Sequence, residues 1–165
     1  MVKIEIAGLP TNLDDLLAMQ SSLANTPEGG AAVLVAALLT YVKRDPLAEQ
    51  YLALLVDVGQ LQSDSLRAID RQRLKLQLIG KERTVYSYVQ GATPENGYQL
   101  PDPPYPLSFS RNPYSGKEES GRVKVFIACS GASTPHPVSL KHGADGFWRA
   151  WEWSSLLVGV ASAKS

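Results

Sequence analysis

The stretch from Thr26 to Arg44 constrains this chain most. Thr26-Pro27-Glu28 is a strong helix start. The threonine side chain accepts from a free amide of the first turn, and proline suits the first helical position. Glutamate sits where the helix end favours negative charge. The residues behind it, Ala31 to Leu39, are apolar without a break. A helix apolar on all sides must be surrounded, so this one is expected to run to Lys43 or Arg44 at the centre of a core. The apolar run is about half of the ~20 residues that span a bilayer, which favours a buried helix over a membrane one. Gly29 and Gly30 weaken its first turn by about 1 kcal/mol each relative to alanine. The benefit expected in return is close approach of another backbone.

Other helices should pack around it. Thr11 as a cap, with Asp14 three residues on, opens one carrying Leu13, Leu16, Leu17 and Leu23. Asp45-Pro46 opens another, to about Val58, with Leu47, Tyr51, Leu54 and Leu55 on one face and Gly59 ending it. A fourth is expected from Ser63–Ser65, with Leu66, Ile69, Leu76 and Ile79 inward and Arg67, Arg71 and Lys75 outward. Leu74, Leu76 and Leu78 alternate as in a strand, but the capping residues and upstream spacing favour helix.

From Gln90 onward the character changes. Gly91, Pro94, Asn96-Gly97 and Pro101-Asp102-Pro103-Pro104 mark turns and extended chain. Strands are expected at Tyr105–Arg111, Arg122–Ser130, Pro137–His142 and Phe147–Trp153, joined as antiparallel hairpins, with Asp145-Gly146 a favoured turn pair. Leu156, Leu157, Val158 and Val160 should dock on the helices, and Ala161–Ser165 should fray. Helices followed by strands predict an α+β fold: an N-terminal bundle of about four helices packed with a small C-terminal antiparallel sheet. We expect one domain over residues 1–165, helical over about 11–89 and β-rich over about 105–160, because so small a sheet is not stable alone.

With 165 residues the chain can bury a core without disulfides or metal, and 44% apolar with 19% charged residues excludes a disordered chain. Sixteen basic and sixteen acidic side chains cancel, which argues against a nucleic-acid partner. Met-Val-Lys-Ile-Glu-Ile contains no signal-peptide core, and a lone cysteine suits a reducing compartment, so the expected location is cytoplasmic, with no membrane partner.

No catalytic constellation stands out, and none is assigned. Cys129 with His136 or His142 would need an electropositive, accessible thiolate, whereas Val125 and Ile127 beside it point to a buried small hydrophobe. Two histidines and one cysteine fit no metal-ligand spacing, so neither a metal nor a cofactor is expected. Ser130-Gly131-Ala132-Ser133 lacks the Gly-x-Ser-x-Gly elbow. Gly29-Gly30 lacks the Lys-Ser or Lys-Thr of a phosphate loop.

The stretch 86–114 is the candidate binding region. Tyr88, Tyr98 and Tyr114 alternate there with Glu95, Asn96, Asp102, Arg111 and Asn112, and Trp148 adds a further aromatic. Tyrosine among polar groups gives large contact area at small entropy cost. The same rings can equally pin a long loop to the core.

Ser87-Tyr88-Val89-Gln90-Gly91-Ala92-Thr93-Pro94-Glu95-Asn96-Gly97-Tyr98, Arg111-Asn112-Pro113-Tyr114-Ser115-Gly116 and the closing Gly146-Phe147-Trp148-Arg149-Ala150-Trp151-Glu152-Trp153 resemble a family of bacterial proteins of uncharacterised function. The resemblance implies a soluble bacterial protein with a shared fold and carries over no functional residue. The expected function is a non-enzymatic binding module for another protein or a small polar ligand, which itself can form a homo-oligomer. Two alternatives stand beside it. One is a small hydrolase-like enzyme using Glu95, Asp102, Arg111 and the Cys129/His136 pair. The other is a bacterial immunity or secretion-associated adaptor.

Overall fold

The computed structural model describes residues 1–164. It mixes helix and strand. Among the described residues lie five α-helices and a five-stranded antiparallel sheet. The helices are α1 (Leu13–Leu23), α2 (Pro27–Val42), α3 (Ala48–Leu55), α4 (Ala68–Leu78) and α5 (Arg83–Tyr86). The strands are β1 (Val2–Ile6), β2 (Leu61–Gln62), β3 (Ser65–Leu66), β4 (Tyr105–Ser110), β5 (Arg122–Ile127), β6 (His136–His142) and β7 (Trp148–Glu152). The main sheet runs β1-β4-β5-β6-β7, and β2-β3 is a separate hairpin. No described helix is long and apolar enough to cross a membrane.

Helix α2 is central, as its composition demands. Every residue from Pro27 to Thr40 is buried. Thr26 caps it by accepting from the Gly29 amide at 3.0 Å. One side meets α1 and α3 and the other meets strands of the main sheet. The close approach expected at the glycines is present. A Cβ on Gly30 would lie 2.5 Å from the Trp148 carbonyl oxygen, and the Trp148 amide donates to the Ala24 carbonyl at 2.7 Å. Gly30 lets β7 reach the start of the helix, and Gly29 admits the Leu23 backbone at the end of α1.

Helices together with an antiparallel sheet match the expected α+β mixture. The core is shared, with helix and sheet residues in one apolar cluster, and α4 leans on the turn Ser154–Leu157. Its inward face also differs from expectation: Asp70, Leu74 and Leu78 are buried, whereas Ile69 and Leu76 are exposed. Asp70 can occupy that position because Arg67 Nε binds it at 2.9 Å and Arg73 lies 3.8 Å away. Of the basic face expected here, Arg67 is paired with Asp70 and Arg71 lies 4.0 Å from Glu49 of α3. Helix α1 starts one residue later than expected. Asn12 is the cap, accepting from the Asp15 amide at 2.8 Å, and Thr11 donates to the Asp15 carboxylate at 2.6 Å.

Helix α3 ends at Leu55, before the expected Val58, because the chain turns extended to cover an edge of the sheet. Val56 bridges Ala150 and the Asp57 amide donates to the Ala150 carbonyl at 2.7 Å. The four expected C-terminal strands are all present. An extra residue in β7, between the pairs Leu140–Ala150 and Ser139–Glu152, turns Trp153 into the core together with Trp148. The tail does not fray over the described residues. The Ala161 amide donates to the Gly131 carbonyl at 3.0 Å and the Lys164 amide to the Pro94 carbonyl at 2.7 Å. Ser165 lies outside the described residues.

Candidate functional site

The aromatic residues expected to form a recognition surface point inward. Tyr88, Tyr98 and Trp148 are 1%, 2% and 4% exposed. Tyr88 donates its hydroxyl to the Leu156 carbonyl at 2.7 Å, and His136 Nδ1 lies 2.8 Å from the Tyr88 hydroxyl oxygen. A carbonyl can only accept, so the single hydroxyl proton is committed. His136 must therefore carry its own proton on Nδ1. Burial raises the Tyr88 pKa and lowers that of His136, keeping both neutral. Tyr98 donates to the Ala161 carbonyl and holds the tail. Its backbone is left-handed, with φ 58°, directly after Gly97. Gly131 makes room for it, since a Cβ there would lie 2.1 Å from the Tyr98 oxygen. Trp148 stacks on His142 with ring centroids 4.7 Å apart.

The polar candidates are mostly tied into local structure as well. Asn96 Oδ1 accepts from the Thr93 amide at 3.0 Å and Nδ2 donates to the Gly91 carbonyl at 2.7 Å, so it builds the turn. Asn112 accepts from the Tyr114 amide at 2.8 Å. Arg111 grips Glu28 through Nε at 2.7 Å and Nη2 at 2.9 Å. Burial opposes the charge on Glu28, but the Arg111 bonds and its own backbone amide outweigh it and leave the carboxyl below its ordinary value. Glu95 meets Lys164 at 3.2 Å on the surface. Asp102 is exposed, and Tyr114 is 88% exposed. Burial of the three rings removes the exposed-aromatic argument for a recognition loop here. Within the stretch, the Tyr98 hydroxyl and the Pro94 carbonyl hold the C-terminal tail, and Arg111 holds the α2 start.

The enzyme alternative required Glu95, Asp102 and Arg111 to converge, and they engage Lys164, solvent and Glu28 respectively. Ser87 gives its hydroxyl proton to the Thr84 carbonyl at 2.7 Å, so the Cys129 thiol, 3.1 Å away, donates to it. Burial pushes the thiol up. His136 is bonded to Tyr88, His142 bonds the Gly146 carbonyl at 3.1 Å, and among the described residues neither ring is hydrogen-bonded to Cys129. Among the described residues, no three His, Cys, Asp or Glu side chains are grouped to hold a metal.

An open apolar surface lies elsewhere, across α3. A hollow of about 360 Å³ is lined by Leu13, Glu49, Gln50, Ala53, Leu54, Asp64, Ser65, Leu66 and Arg71. A second, of about 430 Å³, is lined by Ala53, Leu54, Val56, Asp57, Val58, Leu61, Gly143, Ala144, Asp145 and Arg149. They share Ala53 and Leu54, so one groove crosses the helix. Leu13, Leu54 and Val58 are exposed around it. The groove has fixed walls. Gln20 Nε2 at 3.2 Å and Arg149 Nε at 3.0 Å both donate to the Leu54 carbonyl, which as a helix-end acceptor lacks a partner within the helix. Arg149 also grips both Asp145 oxygens, at 3.0 and 2.7 Å, holding that carboxyl at about 2.

The hairpin β2-β3 supplies one wall. Leu61 pairs with Leu66 and Gln62 with Ser65, which leaves Ser63-Asp64 as a two-residue turn. Both turn residues are left-handed, with φ 51° and 63°. That geometry is usual for Asn-Gly, and with side chains of this kind it is strained. The turn places Asp64 at the groove. Sequence reasoning placed a helix start here. Leucines flanking a short polar Ser-Asp pair were the available signal.

The chain matches the family described as Domain of unknown function (DUF6935) over residues 8–164. It belongs to that family. The matched segment contains all the elements of the groove and excludes β1. Comparison with curated proteins and with solved structures returns no match.

Proposed function

We propose that the chain is a non-enzymatic module of the bacterial cytoplasm that binds another protein, taking an apolar segment of it into the groove across α3. The carrying observation is the pair of adjoining hollows with a shared Ala53-Leu54 floor, edged by outward-facing leucine and valine side chains. Contiguous exposed apolar surface beside a polar rim is the usual mark of a docking site. The rim is largely self-neutralised: Arg149 meets Asp145, Lys141 meets Asp57 at 3.8 Å and Arg71 meets Glu49 at 4.0 Å. Among the described residues Asp64 makes no ion pair. A partner with apolar anchors and a neighbouring lysine or arginine would suit both features. Helix and sheet share one apolar cluster, which supports reading residues 1–165 as one cooperative domain.

The test is a selection of displayed peptides on the intact chain, followed by binding to variants. The binders should carry an apolar anchor beside a basic residue. Leu54→Asp should weaken them by about tenfold or more, as for an anchor position at an interface, and Asp64→Lys should weaken them less. Selected peptides indifferent to both changes would refute the groove.

A further inference from the structure

Strand β1 offers a second surface at the other end of the sheet, where its outer edge has no strand beside it. Which backbone groups face that edge follows from its pairing with β4. Glu5 is opposite Pro106 and Lys3 is opposite Ser108. Pro106 has no amide, and its carbonyl accepts from Gln90 at 2.9 Å. The Ser108 carbonyl accepts from Ala128 at 2.9 Å. Both residues thus direct their hydrogen-bonding groups away from β1. In an antiparallel ladder the residues opposite them do the same. Val2, Ile4 and Ile6 therefore bond to β4, and Lys3 and Glu5 present their N–H and C=O groups outward.

The side chains alternate in step. Ile6 is buried and Ile4 packs against the core, while Lys3 and Glu5 are exposed. A new strand on this edge must pair its own outward-facing residues with Lys3 and Glu5. A second copy of this chain can do so antiparallel about a two-fold axis at Ile4. Lys3 then faces Glu5 of the second copy, and Glu5 faces its Lys3. Val2 faces Ile6, and Ile4 faces Ile4. Sliding the copies by two residues either way places Lys3 against Lys3 or Glu5 against Glu5, which is repulsive. The centred register is the one that satisfies both backbone and charge.

We propose that β1 pairs with β1 of a second copy in this register, joining two five-stranded sheets into one continuous antiparallel sheet. The contact is isologous and closed. It covers an edge that otherwise stands open to pairing. It lies away from β7 and from the α3 groove beside it, so the pairing does not depend on what the groove binds. Because β1 precedes the matched residues 8–164, the inference concerns this chain rather than its family.

Sedimentation equilibrium of the full chain at low salt, over a range of concentrations, tests it. The wild-type chain should pass from monomer to dimer as concentration rises. Lys3→Glu and Glu5→Lys each turn both cross-strand pairs from opposite to like charge and should weaken the dimer by about tenfold. The double variant Lys3→Glu/Glu5→Lys restores opposite charges and should recover it. Lys3→Pro deletes an outward amide while sparing the β1-β4 ladder, and should abolish pairing. Unchanged melting at monomeric concentration separates these effects from misfolding. A chain monomeric throughout, a dimer indifferent to these changes, or no recovery in the double variant would overturn the proposal.

Discussion

The 86–114 stretch and the surface across α3 use large side chains in opposite ways. The first is rich in tyrosine, proline and turn residues, yet Tyr88 and Tyr98 face inward with their hydroxyls bonded to backbone carbonyls. The second is an ordinary helix and a six-residue hairpin, yet Leu13, Leu54 and Val58 face outward. An aromatic-polar loop suggests recognition by composition. Composition does not say which way the rings point. A hydroxyl that finds a carbonyl inside makes burial cheap, whereas Leu13 and Leu54, on the outer sides of α1 and α3, stay partly in water.

Variants can break or sharpen that contrast. The largest effect is expected from Tyr98→Ala, which empties a packed site beside Gly131 and frees the tail. The loss should be about 3–5 kcal/mol in denaturant unfolding. Arg111→Ala should cost less, about 1–3 kcal/mol, because water reaches part of the site left around Glu28. It should also change the acid limb. The Glu28 pKa is lowered by folding, so its contribution is present above the ordinary carboxylate value and is lost as pH falls through the folded value. In Arg111→Ala the stability-against-pH curve should therefore flatten on the acid side. Cys129→Ala removes a half-buried thiol that contacts Ser87 and the Ser130 carbonyl and should cost about 1 kcal/mol or less. Leu54→Asp should shift stability least, within about 0.5 kcal/mol, as a surface change. A large loss there would show that the groove floor is core. Calorimetric and van't Hoff enthalpies should agree for the full chain, as expected of one cooperative domain.

Much of the fold was legible before the structure. Thr26-Pro27 starts the central helix, the apolar run buries it, and Gly30 admits the backbone of β7. The later strands follow from alternation and from turns such as Asp145-Gly146. What escaped has specific causes. Val2-Lys3-Ile4-Glu5-Ile6 alternates plainly as a strand but is short, and its partner β4 is about 100 residues away in sequence. The Ser63-Asp64 turn has left-handed backbone without the Gly or Asn that usually announces it. Helix α4 is rotated from expectation because an ion pair makes Asp70 an inward residue. The tail is held by contacts to Pro94, Tyr98 and Gly131, which no local pattern reveals. The candidate binding residues were legible as a cluster in sequence and not as a surface. The groove combines α1, α3, the hairpin and the β6-β7 turn, so no single segment displays it.

Amide chemical-shift mapping of the intact chain with a selected peptide tests the central claim most directly. The account predicts changes concentrated at Leu13, Leu54, Val58, Asp64 and Leu66, with Tyr98, Asn112 and Tyr114 unmoved. Changes centred on Tyr98, Asn112 and Tyr114, with Leu54 and Leu66 silent, would contradict it.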